Sequence, residues 1–357
     1  MKNARLSNTV PRVAYVIDPR FPGGTSSAVA AELEAVASLA QIEVHAIETK
    51  MFSGRRAAQQ LSEVLIRLDI PLKWNSVEIA ADIVIFQNPS CLKFQDEMEP
   101  RLIARHLIVV THENFLRPGG EPAFDVAKCL SMIATNSIVL ERTIAPISNY
   151  NRKTVQEWVD AAIDLESWEI LPENWFNVCE FEMLKPRFVP TDRRGRLSRP
   201  GFEKFPSFDV MKVCFPETAH SNVILGGDNL LRMGDIPSHW TLHPFRTLTA
   251  AQFFNKIDFF VYYTAQTWRE SFGRVIAEAI AAGKIVITDV QTAETFEGAV
   301  IGADVEDVHA IIAAYISDPQ SYCADVERAQ KMLDCFSAAA FQKLFGSIVQ
   351  QVLGSAK

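Results

Sequence analysis

The sequence has few of the features that mark secreted, zinc-binding or membrane-spanning chains. Its 357 residues include six cysteines, the closest two are 12 residues apart, and no Cys-x-x-Cys pair occurs. This spacing excludes a dense disulfide framework and a zinc ribbon, and it favours free thiols in a reducing cytoplasm. No stretch approaches 18 consecutive apolar residues, and the polar N-terminus lacks the apolar region of a signal peptide. We therefore expect a cytoplasmic protein without a membrane-spanning helix.

Positive charge is also scarce. Lys and Arg total 35 against 43 Asp and Glu, so the net charge is -8, whereas a general nucleic-acid binder needs clustered positive charge. The exception is the segment from Lys185 to Lys204, called the basic island below, which holds seven basic and two acidic residues. We expect no nucleic-acid partner, and the island is either a solvated linker or an anion-binding site.

Short apolar runs alternate with helical patterns along the chain. Strands are predicted at 13–18, 44–47, 82–86, 107–111, 137–140, 143–147, 222–225, 240–244, 258–263, 285–288 and 299–301. Helices are predicted at 26–39, 57–68, 273–282, 305–316 and 326–352. Nearly continuous Val, Ile and Phe in the strands indicates parallel sheets that are covered on both faces, which is the α/β class.

The pattern restarts after a proline-rich stretch at 172–206 that contains the basic island. Such a stretch is typical of a connection between domains, and we place the hinge near Pro186. The prediction is two facing Rossmann-like, doubly wound domains with a cleft between them, at 1–185 and 186–330. The last helix, at 331–357, would return to the first domain.

Two features at predicted strand ends in the first half are candidates for ligand contact. The strand at 13–18 leads through Pro22-Gly23-Gly24-Thr25 into a helix. These glycines either let the backbone approach a phosphate at the helix N-terminus or form a tight turn that needs positive φ. His112 follows the strand at 107–111, where it could contact a sugar hydroxyl or phosphate, or could be structural. The fingerprint G-x-G-x-x-G is absent, so no nicotinamide cofactor is expected.

The basic island contains the sequence GRLSRPGFEKFP. Within it Arg196 and Arg199 supply two guanidinium groups and Lys204 supplies an ammonium group. Such a set matches the oxygens of a diphosphate and can stabilise charge on a phosphate leaving group. The alternative is a solvated basic loop.

The segment DFFVYYTAQTWRESFGRVIAEAIAAGKIVIT carries the most specific pattern. A predicted strand leads through a loop to Glu270 and Gly273, and a helix then runs to Gly283 before the next strand. Glu270 and Glu278 are eight residues apart, so both could line a pocket at the helix N-terminus. The helix end can receive a phosphate, and carboxylates can accept hydrogen bonds from sugar hydroxyls.

This segment resembles the E-x7-E block of retaining glycosyltransferases of family 4, which have the GT-B fold. Ser271 replaces a glycine and Arg274 replaces an apolar residue of the usual block. GRLSRPGFEKFP resembles the Arg and Lys phosphate motif of a subgroup, with Phe205 in place of Trp. FPGGTSSAVAAEL resembles the family's glycine loop, and VVTHENF its strand-end histidine.

The resemblance implies a role for each candidate residue. It makes 1–185 the acceptor domain and 186–330 the donor domain. Glu270 and His112 would contact the transferred sugar in the catalytic site, and Glu278 would bind the ribose hydroxyls. The groups that would bind the donor diphosphate are Arg196, Arg199, Lys204, Gly23, Gly24, Phe272 and Gly273.

The implied reaction moves a hexosyl group, with retention, from a nucleoside-diphosphate sugar to a hydroxyl acceptor. The acceptor would be a glycan or a lipid-linked saccharide in cell-surface polysaccharide synthesis. No Asp-x-Asp pair occurs, and His239 and His243 would not converge on a strand, so we expect neither a metal ion nor a cofactor.

Three alternatives stay open at this point. The first is a sugar-nucleotide epimerase of the same fold, and the second is a non-catalytic module, which the changes at Arg274 and Lys284 would allow. The third concerns location. Leu61, Leu65 and Trp74 lie among arginines, as in a segment that contacts the inner face of a membrane, although an ordinary packed amphipathic helix has the same pattern.

Overall fold

The computed structural model describes residues 10–21, 23–162, 168–201, 203–232 and 236–354. Pro22 of the predicted glycine loop and residues 355–357 of the predicted last helix lie outside the described residues. The chain divides into two compact units: unit 1 comprises 1–115, 122–178 and 338–357, and unit 2 comprises 116–121 and 179–337. The division near the middle of the chain falls after Val178, whereas the sequence predicted a hinge near Pro186.

Among its described residues, unit 1 contains a sheet of eight strands in which every recorded pairing is parallel. The order is β3-β2-β1-β5-β6-β7-β8, and β4 pairs with the first half of β6. The strands are β1 (Arg12–Ile17), β2 (Gln41–Ala46), β3 (Leu72–Lys73), β4 (Glu78–Ala80), β5 (Ile83–Gln87), β6 (Arg101–Thr111), β7 (Ser137–Pro146) and β8 (Glu169–Ile170). The helices are α1 (Gly24–Val36), α2 (Gln59–Arg67), α3 (Val126–Thr135), α4 (Asn149–Ala161) and, from the end of the chain, α11 (Ala338–Gly354).

Unit 2 contains a second parallel sheet, of six strands within the described residues, in the order β11-β10-β9-β12-β13-β14. Its strands are β9 (Arg193–Leu197), β10 (Ser221–Leu225), β11 (Trp240–His243), β12 (Phe259–Tyr262), β13 (Ile285–Thr288) and β14 (Ile301–Gly302). Its helices are α5 (Phe208–Cys214), α6 (Ala250–Phe254), α7 (Arg274–Ala281), α8 (Val290–Ala293), α9 (Val308–Ser317) and α10 (Pro319–Met332).

Each sheet is built outward from its first strand in both directions. In unit 1 the order reverses between β1 and β5, and in unit 2 it reverses between β9 and β12. Every residue of β5 and of β12 is buried. Their apolar runs predicted this burial, because such runs are typical of strands that are covered on both faces. In sheets of this kind, ligands bind beyond the carboxyl ends of the strands at the reversal point. The topology therefore marks one candidate position in each unit.

The solvated-linker interpretation of the basic island is wrong for Arg193, Arg194 and Arg196, whereas Lys185, Arg187 and Arg199 are exposed. Residues 193–197 form β9 at the centre of the unit 2 sheet, and Arg194 and Arg196 are fully buried. Arg193 makes a bidentate contact with the buried Asp258, at 2.8 and 2.6 Å. Arg194 pairs with Asp192 at 2.7 and 3.0 Å. Buried charges of this kind are tolerated when they are paired and hydrogen-bonded, so these arginines belong to the core of the unit.

Two element boundaries also differ from the prediction. The strands predicted at 137–140 and 143–147 form the single strand β7. The helix predicted at 326–352 is interrupted by a 3₁₀ turn at Leu333–Phe336, which separates α10 from α11. By length and composition alone, Pro319–Gly354 could cross a membrane, contrary to the expectation of no such segment. That stretch is nevertheless broken by the turn, and Tyr322 and Phe341 on either side are fully buried.

The amphipathic segment of unit 1 packs as an ordinary surface helix. Leu61 and Leu65 on α2 are buried, while Ile66 and Arg67 on its other face are exposed. Trp74, which follows β3, is 38% exposed. The apolar face of α2 is thus used within the protein, which is the packed-helix alternative.

Candidate active site

The loops that follow β9 and β12 are joined at the reversal point of the unit 2 sheet. The Ala265 amide donates to the Glu203 carbonyl at 3.1 Å, so a backbone hydrogen bond connects the two loops. Lys204 lies in a short turn closed by the bond from its amide to the Gly201 carbonyl, at 3.2 Å. Glu270 lies in the second loop, before α7. The topology therefore brings together two candidates that are 66 residues apart in the sequence.

Lys204 and Glu270 form a largely buried ion pair. The Lys204 Nζ lies 2.8 and 3.0 Å from the two carboxylate oxygens of Glu270, and 3.6 Å from the centre of the Trp268 ring. Only 10% and 12% of the two charged side chains are exposed. Burial lowers the pKa of Lys204, and the Glu270 carboxylate opposes that shift. A cation and a carboxylate are thus held side by side in a weakly solvated position.

Tyr262, the last residue of β12, is a further member of this group. Its hydroxyl lies 2.5 Å from Glu270 Oε1, and the residue is 1% exposed. Burial, with the nearby Glu270 carboxylate, raises the pKa of Tyr262 well above its ordinary value, so the hydroxyl is the donor. The sequence interpretation missed Tyr262 and Trp268. The available signal was a pair of tyrosines at the carboxyl end of a buried strand, with a tryptophan two residues before Glu270.

Arg196 lies beneath this group as a buried bridge between the two loops. Its guanidinium donates to the carbonyls of Lys204 and Tyr263, and it lies 4.3 Å from the Phe205 ring centre and 4.8 Å from that of Tyr262. Burial lowers its pKa. Arg196, on β9, is fully buried, whereas Arg199, in the loop that follows β9, is exposed. Direct contact of either residue with a diphosphate stays a prediction.

The start of α7 is shaped by Phe272 and Gly273. Phe272 is 3% exposed and packs edge-on against Phe296 and Phe336, with centroid distances of 5.6 and 5.1 Å. Gly273 precedes the helix at φ +88°, a left-handed conformation that glycine adopts without steric cost. The packing of Phe272 and the conformation of Gly273 together place the first amides of α7 directly after the loop that contains Glu270. Such amides lack partners within a helix and can bind an anion.

Glu278 lies further along α7, in a different environment from Glu270. Its carboxylate is 3.7 Å from the Arg274 Nε, whose guanidinium lies 4.9 Å from the Phe181 ring centre. Burial raises the pKa of Glu278, and Arg274 opposes the shift. The structure thus pairs each of the two predicted glutamates with a different cation.

Unit 1 has its own polar cluster, which contains His112. The His112 Nε2 lies 2.7 Å from Gln87 Oε1, and Gln87 Nε2 donates to Glu32 Oε2 at 3.0 Å. Burial lowers the pKa of His112 to about 3 and raises the pKa of Glu32 to about 8. Both groups are therefore neutral at pH 7. This hydrogen-bond network assigns the His112 proton to Nε2, which leaves Nδ1 as an acceptor.

The two glycines at the start of α1 do not form a positive-φ turn. Gly23 has φ -140° and ψ -155°, and Gly24 also lies outside the positive-φ region. A Cβ built on Gly24 would meet no atom of the described residues within 4 Å. The tight-turn alternative is therefore wrong. Gly24 therefore has open space beside its backbone.

No family model matches the chain, and no curated protein matches it. Solved structures do match. HepE from Anabaena, in complex with UDP and glucose, aligns with a TM-score of 0.65 at 13% identity, over 96% of this chain and 100% of that one. A glycosyltransferase from Rickettsia africae aligns with a TM-score of 0.59 at 13% identity, over 96% and 99% of the two chains. The chain has the GT-B fold. The predicted α/β class with two parallel sheets is confirmed, and identities this low establish the fold alone.

Proposed function

We propose that this protein is a retaining glycosyltransferase that moves a hexosyl group from a nucleoside-diphosphate sugar to a hydroxyl acceptor without a metal ion. The observation that carries the proposal is the buried contact between Lys204 and Glu270 at the reversal point of the unit 2 sheet, directly before α7. HepE is known in complex with UDP and glucose and with UDP-glucose, which supports a uridine donor.

The residues of unit 2 supply the groups that a donor sugar needs. Lys204 and the exposed Arg199 would bind the diphosphate together with the amides of Phe272 and Gly273. Glu270 would accept hydrogen bonds from the transferred sugar, and Glu278 from the ribose. Arg196 would hold the Lys204 loop next to the end of β12, through its hydrogen bonds to the carbonyls of Lys204 and Tyr263.

Unit 1 would contribute neutral groups. The open backbone at Gly24 can admit a ligand closely, with Gly23 next to it, and the His112 Nδ1 can accept a hydrogen bond from a sugar hydroxyl. A neutral imidazole suits a hydroxyl group better than it suits a phosphate. In our proposal, the groups of unit 1 therefore contact the sugar and not the diphosphate.

In the proposed reaction the bond between the anomeric carbon and the diphosphate oxygen breaks, and a bond to the acceptor oxygen forms on the same face. The acceptor proton passes to the departing diphosphate. Lys204 and Arg199 stabilise the negative charge that builds up on the leaving group, and Glu270 stabilises positive charge on the sugar. The cations of the loop after β9 would thus stabilise the leaving diphosphate in place of a metal ion.

The acceptor class follows from the family resemblance, and the cytoplasmic location follows from the spacing of the cysteines. We infer a glycan or lipid-linked saccharide acceptor and a cytoplasmic protein that can reach the inner face of the membrane. All six cysteines are free, which fits a reducing compartment. Flotation with anionic liposomes tests the membrane contact.

The test starts with a thermal-shift screen of UDP, GDP, ADP and dTDP, because a ligand that binds only the native state stabilises it. Transfer from the bound donor is then measured in Lys204→Ala and Glu270→Gln. Each should lose about 10²–10³ in rate, the usual effect of removing one electrostatic group. The matched controls Lys256→Ala and Glu217→Gln change exposed residues of the same unit and should transfer normally.

Three outcomes would contradict the proposal. Wild-type transfer rates in both site variants would remove Lys204 and Glu270 from the reaction. Formation of an isomeric nucleotide sugar without an acceptor, seen by chromatography, would identify an epimerase. Failure of the protein to bind any of these nucleotides would favour a non-catalytic module.

A further inference from the structure

Two different residues hold the Glu270 carboxylate. Lys204 contacts both oxygens, at 2.8 and 3.0 Å, and its ammonium also lies against the Trp268 ring. The Tyr262 hydroxyl contacts Oε1 at 2.5 Å. The first contact is an ion pair from a loop, and the second is a hydrogen bond from the end of a strand.

Lys204 is also the cation that the proposed function assigns to the diphosphate. An ammonium group has three N–H donors, and here they are directed to the carboxylate and the aromatic ring. A diphosphate carries more negative charge than one carboxylate, and so attracts the ammonium more strongly at the same distance. Binding of the donor should therefore weaken the bond between Lys204 and Glu270.

Tyr262, by contrast, is fixed. The residue is 1% exposed, its ring stacks on Phe260 with centroids 5.6 Å apart and an interplanar angle of 14°, and the Arg196 guanidinium lies 4.8 Å from its centre. It also lies on β12, which pairs with β9 and β13. When Lys204 leaves the carboxylate, the Tyr262 hydroxyl stays in place.

We propose that Tyr262 is a positioning residue that holds Glu270 for the sugar when a nucleoside diphosphate draws Lys204 away from the Glu270 carboxylate. The inference rests on the proposed function, because the exchange needs a diphosphate ligand. It adds to that function a residue outside the family motifs and an order of events. In the ligand-free protein Lys204 and Glu270 neutralise each other, and the donor separates them.

Calorimetry with UDP tests the exchange of Lys204. Glu270→Gln should tighten UDP binding by about fivefold, because the competing carboxylate is gone. In a Lys204→Met background the same substitution should have no effect. If Glu270→Gln tightens UDP equally in both backgrounds, Glu270 acts only by repelling the ligand, and the exchange is overturned.

Steady-state kinetics with saturating acceptor test the role of Tyr262. Tyr262→Phe should lower kcat by about 10- to 100-fold, as expected for the loss of a hydrogen bond to a charged group, with donor KM within about twofold of wild type. The control is Tyr315→Phe, because the Tyr315 hydroxyl also donates to a carboxylate, that of Asp325, at 2.6 Å. A Tyr262→Phe enzyme with unchanged kcat, or with an effect on KM alone, would overturn the positioning role.

Different results would contradict the proposed function and the role of Tyr262. A wild-type protein that binds no nucleoside diphosphate contradicts the proposed function, and the inference with it. A wild-type protein that binds UDP and transfers sugar, while Tyr262→Phe behaves like Tyr315→Phe, contradicts only the inference.

Discussion

Both units carry a polar cluster near the carboxyl ends of their central strands, but the clusters differ in charge. In unit 1 the cluster of Glu32, Gln87 and His112 is neutral at pH 7, because burial raises the pKa of Glu32 to about 8 and lowers that of His112 to about 3. In unit 2 the cluster is built around the Lys204 and Glu270 ion pair, with the buried Arg196 guanidinium beneath it.

This difference shows how one topology can serve two kinds of ligand contact. A neutral chain of hydrogen bonds fixes donor and acceptor directions and so suits hydroxyl groups. A cluster with a surplus of cations suits a diphosphate. Substitutions of Arg196, Glu32 and Gln87 test this contrast, in order of decreasing expected effect.

Arg196→Met should remove the buried cation that lies beneath the Lys204 and Glu270 ion pair of unit 2. The carbonyls of Lys204 and Tyr263 would lose their buried donor, so we expect the free energy of unfolding to fall by about 2–4 kcal/mol. Urea unfolding measures this, with the exposed Arg328→Met as control. A variant as stable as wild type that still binds UDP normally would show that the bridge is dispensable.

Glu32→Gln should change how stability depends on pH in unit 1. The folded pKa of about 8 lies well above the value near 4.3 for an unfolded glutamate. The native state thus keeps a proton that the unfolded chain has lost, and stability falls as pH rises towards 8. Between pH 6 and 8 the wild type should lose about 2 kcal/mol that Glu32→Gln retains.

Urea unfolding at several pH values makes this measurement. The control Glu34→Gln lies on the same helix, where Glu34 is exposed, and should keep the wild-type slope. Equal slopes in Glu32→Gln and wild type would mean that Glu32 is already ionised at pH 6. The cluster of unit 1 would then be charged, like that of unit 2.

The smallest effect concerns a single proton on His112. With a folded pKa of about 3, the ring should remain neutral from pH 7.5 down to pH 5, with its proton on Nε2 facing Gln87. Long-range ¹⁵N–¹H NMR of labelled histidine reports both the charge and the tautomer. Gln87→Leu should release the tautomer preference. A doubly protonated ring in the wild type at pH 5 would remove the contrast between the units.

Much of the fold was predictable because apolar periodicity reports burial directly. Nearly every strand with a Val, Ile or Phe run was located, and the parallel arrangement followed from those runs. The strand β9 was not predicted, because its sequence Arg-Arg-Gly-Arg-Leu has a single apolar residue. Its buried arginines are compatible with a core only because Asp258, 65 residues away from Arg193, supplies the counter-charge. A long-range partner of this kind leaves no periodic signal.

The sequence alone specifies the class of fold and the chemical types at the candidate site, since apolar patterns and motif spacing are local properties. It did not show that Lys204 and Glu270 contact each other, that Tyr262 shares the carboxylate, or that Arg196 is buried beneath them. Those contacts are visible only in the three-dimensional structure. They depend on which strand ends become neighbours, and the carboxyl ends of β9 and β12 meet only after the sheet has reversed its order.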